Sequence, residues 1–322
     1  MLEKWFDILT AKQSLLKIKF ICGICFLLIS ASLKAQQEPM YSQYMFNMLQ
    51  INPAYAGNRV VDNITTVYRK QWINIPGAPT TATLSWDKRQ AGTNVGYGLQ
   101  VYNDKISIEN TSGLQGFYSY RLPFEDSFLS FGLSGGVLYY NAALSQVKTT
   151  EGGDPLLQED VERVLPTAGF GLLYGSEKWY VGFSIPALFR TKANGSGINA
   201  SYSIGANNHY FLTGGYVFDI SENFELKPSV LMKAVVGAPI QFDYNVNGWI
   251  NKVVGLGVSY RTGDAIVGMI EFQVSPEFQL GYAYDYTISN LNNFTKWGTH
   301  ELILRYEFAG PKSKRILSPR YY

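Results

Sequence analysis

The sequence predicts an all-β fold, a transmembrane antiparallel β-barrel of about fourteen strands. Three observations predict it. Side chains alternate with period two along most of the chain, which sends successive residues to opposite faces of a strand. One face is crowded with large aromatics while the other carries Gly, Ser and mid-strand charges. The connections sort by parity into a short set and a set that holds every long loop.

The first element, residues 1–35, reads as a secretory signal peptide. Lys4, Lys12, Lys17 and Lys19 form the positive region, Phe20 to Ser32 the short apolar region, and Ala35 the cleavage position. Cys22 and Cys25 both lie inside it, so the mature chain holds no cysteine and no disulfide framework or thiol chemistry. The whole chain has 27 basic and 25 acidic residues; the signal takes five Lys and two acids, leaving 22 and 23. That balance gives no footprint for nucleic acid. Nothing later in the chain reaches eighteen consecutive apolar residues, so no transmembrane helix is expected.

Residues 36–58 break the strand pattern. Tyr41, Tyr44, Met45, Met48 and Leu49 fall at helical spacing, and Pro53 stops a helix there. Two readings stand: a periplasmic arm or packed helix, and a plug or interaction segment that buries its apolar side chains in the lumen or against a partner.

The barrel, residues 59–309, follows with strands expected at 60–71, 79–88, 94–103, 111–122, 127–140, 166–175, 178–187, 208–218, 223–236, 239–248, 252–261, 264–274, 277–287 and 299–309. In 277–288, Phe278, Leu280, Tyr282, Tyr284 and Tyr286 share one face, against Gln279, Gly281, Ala283, Asp285 and Thr287. In 239–247, Phe242, Tyr244 and Val246 oppose Asp243, Asn245 and Asn247. In the last strand Leu302, Leu304 and Tyr306 oppose Glu301, Ile303 and Arg305. A soluble sandwich also alternates. Aromatics strand after strand, with Ser130, Gly132, Ser134 and Gly136 opposite, favour lipid outside and a crowded lumen inside. Trp72, Trp86, Trp179, Trp249 and Trp297 fall near strand ends, the expected place of aromatic girdles. Even-to-odd turns such as 175–178, 248–251 and 275–276 are short, and odd-to-even connections include 141–165, 188–207 and 288–298. Short turns are periplasmic and long loops external, with both termini periplasmic. Residues 310–322 form a basic periplasmic tail with Lys312, Lys314, Arg315 and Arg320, either solvated or in contact with periplasmic machinery.

Chemistry has little to stand on. His209 and His300 are the only histidines, with no metal-ligand spacing and no nucleophile nominated beside them. His209 is expected to face the lumen with Phe211 and Thr213. The acidic run 151–162 reads as a solvated external loop, with calcium as the alternative, although its spacing departs from the EF-hand pattern. No enzyme activity, cofactor or metal is expected.

The run Tyr41–Gly57, followed by 68–81, resembles the PorP/SprF family of Bacteroidetes outer-membrane proteins. The carrying motifs are Gln43, Tyr44, Met45, Phe46 and Asn47, then Met48, then Asn52, Pro53, Ala54 and Tyr55 up to Gly57. Tyr68, Arg69, Gln71, Trp72, Gly77 and Pro79 follow at the first hairpin, and the ending Ser318–Tyr322 is similar too. The resemblance implies an accessory role in type IX secretion. Its partners would be the secretion machinery, including periplasmic components, and the C-terminal domain of a secreted surface protein such as a gliding-motility adhesin. A weaker likeness to FadL-type fatty acid channels rests on Asn52-Pro53-Ala54 and the strand count. It keeps open a transporter for small apolar molecules. A purely structural component of a motility complex is the third reading.

Overall fold

The computed structural model describes residues 40–59, 61–147, 159–188, 193–194, 201–202, 208–295 and 297–308. The signal peptide, the tail and most of the acidic loop lie outside them. All elements below belong to one compact unit, Gln36–Val236 with Ile240–Tyr322.

The wall is a closed antiparallel barrel of 14 strands. They are β1 (Asn63–Lys70), β2 (Thr80–Arg89), β3 (Val95–Ile106), β4 (Glu109–Pro123), β5 (Phe128–Ala142), β6 (Val161–Gly175) and β7 (Trp179–Ile185). Then come β8 (His209–Tyr216, continued by Phe218–Ser221), β9 (Phe224–Val235), β10 (Gln241–Ile250), β11 (Val254–Arg261), β12 (Ala265–Gln273), β13 (Phe278–Thr287) and β14 (Thr299–Glu307). Each strand pairs with its sequence neighbours, and β1 closes on β14 with Asn63 opposite Glu307 and Lys70 opposite His300. Closure leaves no lipid-facing edge, as a bilayer demands of any spanning sheet. Among the described residues no helix is long and apolar enough to cross a membrane.

The alternation falls as the sequence predicts. Leu84, Leu133, Tyr244, Val258 and Tyr286 point outward and are at least half exposed, so in a bilayer they meet lipid. Their strand neighbours Ser85, Ser134, Asn245, Ser259 and Asp285 point inward and are buried. His209 is buried on the inner face, its ring stacked with Phe211. The parity of connections also holds. Residues 90–94, 124–127, 176–178, 222–223, 251–253 and 274–277 connect strands at one rim, and the longest connections, 143–160, 186–208 and 288–298, join strands whose ends meet at the other.

Three expectations are corrected. The loop placed at 141–165 is shorter, because β5 runs on to Ala142 and β6 starts at Val161. Tyr140, Ala142, Leu144 and Val161 bury one another there, with Ile108 against them, so apolar packing extends the wall. The turn placed at 248–251 lies at 251–253, where Asn251 (φ 51°) and Lys252 (φ 57°) take the left-handed conformation. Trp249 is therefore a strand residue with a buried inward side chain, not a girdle residue. It meets Phe46 edge-to-face at 6.3 Å.

An eight-stranded barrel is just filled by its own inward side chains; one this wide leaves space. Here the space is taken by the chain itself. Tyr41, Tyr44, Met45, Met48, Ile51, Ala54 and Tyr55 pack against inward-facing Val67, Leu173, Tyr180, Phe211, Val267, Met269 and Ile303. The hydrophobic core of the molecule is thus the contact between the N-terminal segment and the inner wall.

Candidate functional site

The lumen and residues 40–58 form the candidate site. The expected helix is not there. Three short 3-10 turns take its place, Tyr44–Phe46, Met48–Gln50 and Pro53–Tyr55. A helix satisfies its main chain internally and presents one apolar face. This segment is surrounded on all sides, and the wall itself bonds its main-chain groups. Asn47 (φ −139°, ψ 68°) breaks the first turn from the second.

At one end, near the rim of the long loops, Glu301 of β14 accepts the main-chain N–H of Ser42 (2.8 Å) and of Gln43 (2.7 Å). Arg69 of β1 donates to Glu301 (2.9 Å), to Asp285 of β13 (2.8 Å) and to the Ser42 hydroxyl (2.8 Å). The Ser42 hydroxyl in turn donates a hydrogen bond to Asp285 at 2.6 Å. Arg261 of β11 joins Asp243 at 3.0 Å and Asp285 at 3.5 Å. Arg69, Arg261, Asp243, Asp285 and Glu301 are all buried. Charges at such depth persist only when paired and hydrogen-bonded. Tyr41 shares a hydrogen bond with Thr83 (2.8 Å), and the Tyr44 hydroxyl accepts from Asn245 (2.6 Å).

Midway, Asn47 donates to Ser85 at 2.8 Å. The Asn52 carboxamide caps the third turn by accepting from the Ala54 N–H at 2.9 Å and donates to the Leu172 carbonyl at 3.0 Å. Toward the other rim the wall grips carbonyls. Ser184 donates to Ile51 (2.6 Å), Ser130 to Ala54 (2.9 Å) and Ser119 to Ala56 (2.6 Å). Arg89 donates to the carbonyls of Gly57 and Asn58, both at 2.9 Å, Asp87 accepts the Gly57 N–H at 2.9 Å, and Arg121 reaches the Asn58 side chain. The Tyr55 ring meets Tyr180 edge-to-face at 6.3 Å.

Glycines make room. Gly132 and Gly171 stand opposite each other on β5 and β6, beneath the Asn52–Ala54 stretch. A Cβ on Gly132 would overlap the Ala54 amide, and one on Gly171 the Asn52 side chain. Gly96 likewise leaves space for the Ala56 carbonyl.

The expected motif residues divide. Gln43, Tyr44, Met45, Phe46, Asn47, Met48, Asn52, Pro53, Ala54 and Tyr55 all lie inside the barrel with Tyr41. Arg69 joins them through Glu301. Tyr68 points outward, 48% exposed, away from the lumen. Gln71, Trp72, Gly77 and Pro79 shape the β1–β2 loop instead. The Gln71 N–H bonds the Pro79 carbonyl (2.9 Å), the Trp72 N–H bonds Thr299 (3.1 Å), and Gly77 (φ 75°) accepts from Ser107. Sequence reasoning placed Glu301, Asp285, Asp243 and Ser130 on the inner face without assigning them a site, and missed Ser42, Arg261, Ser119 and Ser184 altogether. For the strand residues among them the available signal was period-two phase; Ser42, outside the strands, had none. His300 lies on the outer face, bonded to the Tyr282 hydroxyl.

A closed aromatic-clad barrel with a polar, occupied lumen defines an outer-membrane β-barrel protein. Its sequence matches the family described as type IX secretion system membrane protein PorP/SprF over residues 33–306, and the chain belongs to that family. No curated protein matches the sequence. Among solved structures it is similar to Omp33 of Acinetobacter baumannii, at 11% identity and TM-score 0.45, covering 78% of this chain and 100% of that one. It is similar to the monoaromatic hydrocarbon channel CymD, at 12% identity and TM-score 0.47, covering 84% and 94%. A FadL homologue of Pseudomonas aeruginosa follows at 13% identity and TM-score 0.42, covering 77% and 89%.

Proposed function

We propose that this chain is an accessory outer-membrane barrel of type IX secretion that receives or anchors one secreted surface protein through that protein's C-terminal domain, and that it catalyses no reaction. Family membership supports the secretion role. The seated segment supports docking over conduction: it runs from the Arg69–Glu301 cluster to Arg89 and Arg121, through the space a cargo chain would need. Binding would draw on groove packing, since a closed barrel offers no free sheet edge for strand addition.

Deleting the gene tests this. Surface display of one adhesin-like protein is expected to be lost, with the remaining surface proteins unaffected; an unchanged surface profile would overturn the reading. The transporter alternative requires an open lumen, and planar-bilayer recordings of the purified protein separate the two. Little steady conductance is expected, and large stable pores would favour the transporter.

A further inference from the structure

We infer that the lumen is a peptide-binding cradle, that residues 40–58 are its resident occupant, and that a segment of the secreted partner takes its place. The inference rests on the docking role above and deepens it by naming where and how the partner binds.

The cradle holds main chain toward both ends of the segment, besides the side chains of Tyr41, Tyr44, Asn47 and Asn52. Glu301 takes two successive N–H groups, and Asp87 takes a third further along. Three wall serines and Arg89 donate to main-chain carbonyls between Ile51 and Asn58. The opposed Gly132 and Gly171 let backbone approach the wall. A peptide that takes up the resident's path, with small residues over the glycine notch, offers the same N–H and C=O groups, because every non-proline residue carries both. Strand-addition recognition works by this logic, with main-chain bonds giving affinity and pockets giving selectivity.

The resident is not the best occupant available. Both amide atoms of Gln50, the Gln43 Oε1 and, on the wall, Trp249 Nε1, Asn247 Nδ2 and Glu271 Oε1 are buried with no protein partner among the described residues. Each such group is a destabilising feature of the present arrangement. A competing segment that bonded several of them would gain over residues 40–58. Residues 40–58 lead directly into β1.

Two experiments decide this in the full-length protein. Residues 36–322 hold no cysteine, so Asn47→Cys with Ser85→Cys, whose native side chains hydrogen-bond at 2.8 Å, creates a single bridge tying the segment to β2. Bridge closure is verified on a non-reducing gel. With the bridge closed, display of the partner is expected to fall at least tenfold and to return on reduction. Undiminished display in the bridged state overturns displacement while leaving the docking role intact, whereas a gene deletion without effect removes the docking role itself. Second, a protease site inserted between Arg59 and Asp62 lets the seated segment be cut free in purified protein. A fluorescent peptide of residues 40–58 is then expected to exchange in at one per barrel, and the partner's C-terminal domain to compete it out. No exchange at high peptide excess sinks the inference.

Discussion

Arg69 and Glu301 carry most of what is unusual at the level of single residues. Arg69 sits in a family motif, so its identity drew notice in the sequence, but its partners did not. Asp285 and Glu301 lie more than two hundred positions away and meet it only because β1 closes on β14. Period-two phase shows that a carboxylate points inward; it does not show which cation waits across a ring closure. The pairing has a measurable consequence. Loss of Glu301 leaves Arg69 paired with Asp285, so the cost is that of charge-assisted hydrogen bonds, about 1.5–3 kcal/mol. Glu301→Gln also weakens the acceptor for the Ser42 and Gln43 N–H groups. Cleavage within residues 40–58 by a protease that acts on the opened state should therefore quicken by about tenfold to a hundredfold. The barrel, whose ladders do not pass through Glu301's side chain, should still resist denaturation by detergent on a gel. An unchanged cleavage rate would mean that the carboxylate does not hold the segment.

At the scale of elements, the strands were legible and the segment was not. Strand ends fell within a few residues because an inward–outward alternation with a bilayer on one side leaves no freedom of register. The exceptions, such as the longer β5 and β6, are places where an apolar inner face continues beyond the polar lumen. Residues 40–58 have apolar spacing that fits a helix, and that spacing misleads because the element is enclosed by wall on every side. Local periodicity reports one buried face; it has nothing to say about a chain of short turns whose remaining main-chain groups bond serines and carboxylates of distant strands. The glycine pair on β5 and β6 tests the fit of this element. Gly132→Leu with Gly171→Leu places two side chains where Pro53, Ala54 and the Asn52 carboxamide now lie. Overpacking costs about 1–3 kcal/mol per site, borne by the segment because both side chains project into the lumen and not into a ladder. In planar bilayers the double variant should conduct more than the native protein. Equal, low conductance in both would show that the glycines are not what seats the segment.

At the scale of the whole molecule, fold and sidedness follow from one arrangement: aromatics outside, polar groups inside, and connections sorted by length. Short turns at one rim and long loops at the other are the pattern expected of a periplasmic and an exterior rim. The segment begins near the long-loop rim, at Ser42 and Gln43, and runs to Arg89 and Arg121 at the short-turn rim before entering β1. The described part of the N-terminal segment thus crosses the lumen, which the parity of strands alone did not reveal. Sidedness can be tested without disturbing the lumen. Asn292, in the 288–298 loop, and Glu125, in the 124–127 turn, are both exposed and lie at opposite rims. Residues 36–322 hold no cysteine, and Asn292→Cys should react with a membrane-impermeant maleimide on intact cells, Glu125→Cys only after the outer membrane is permeabilised. The reverse pattern would invert the barrel. It would put the Arg69–Glu301 cluster on the periplasmic side, so that a partner arriving at the cell surface would meet the far end of the seated segment, at Asn58, instead of its start.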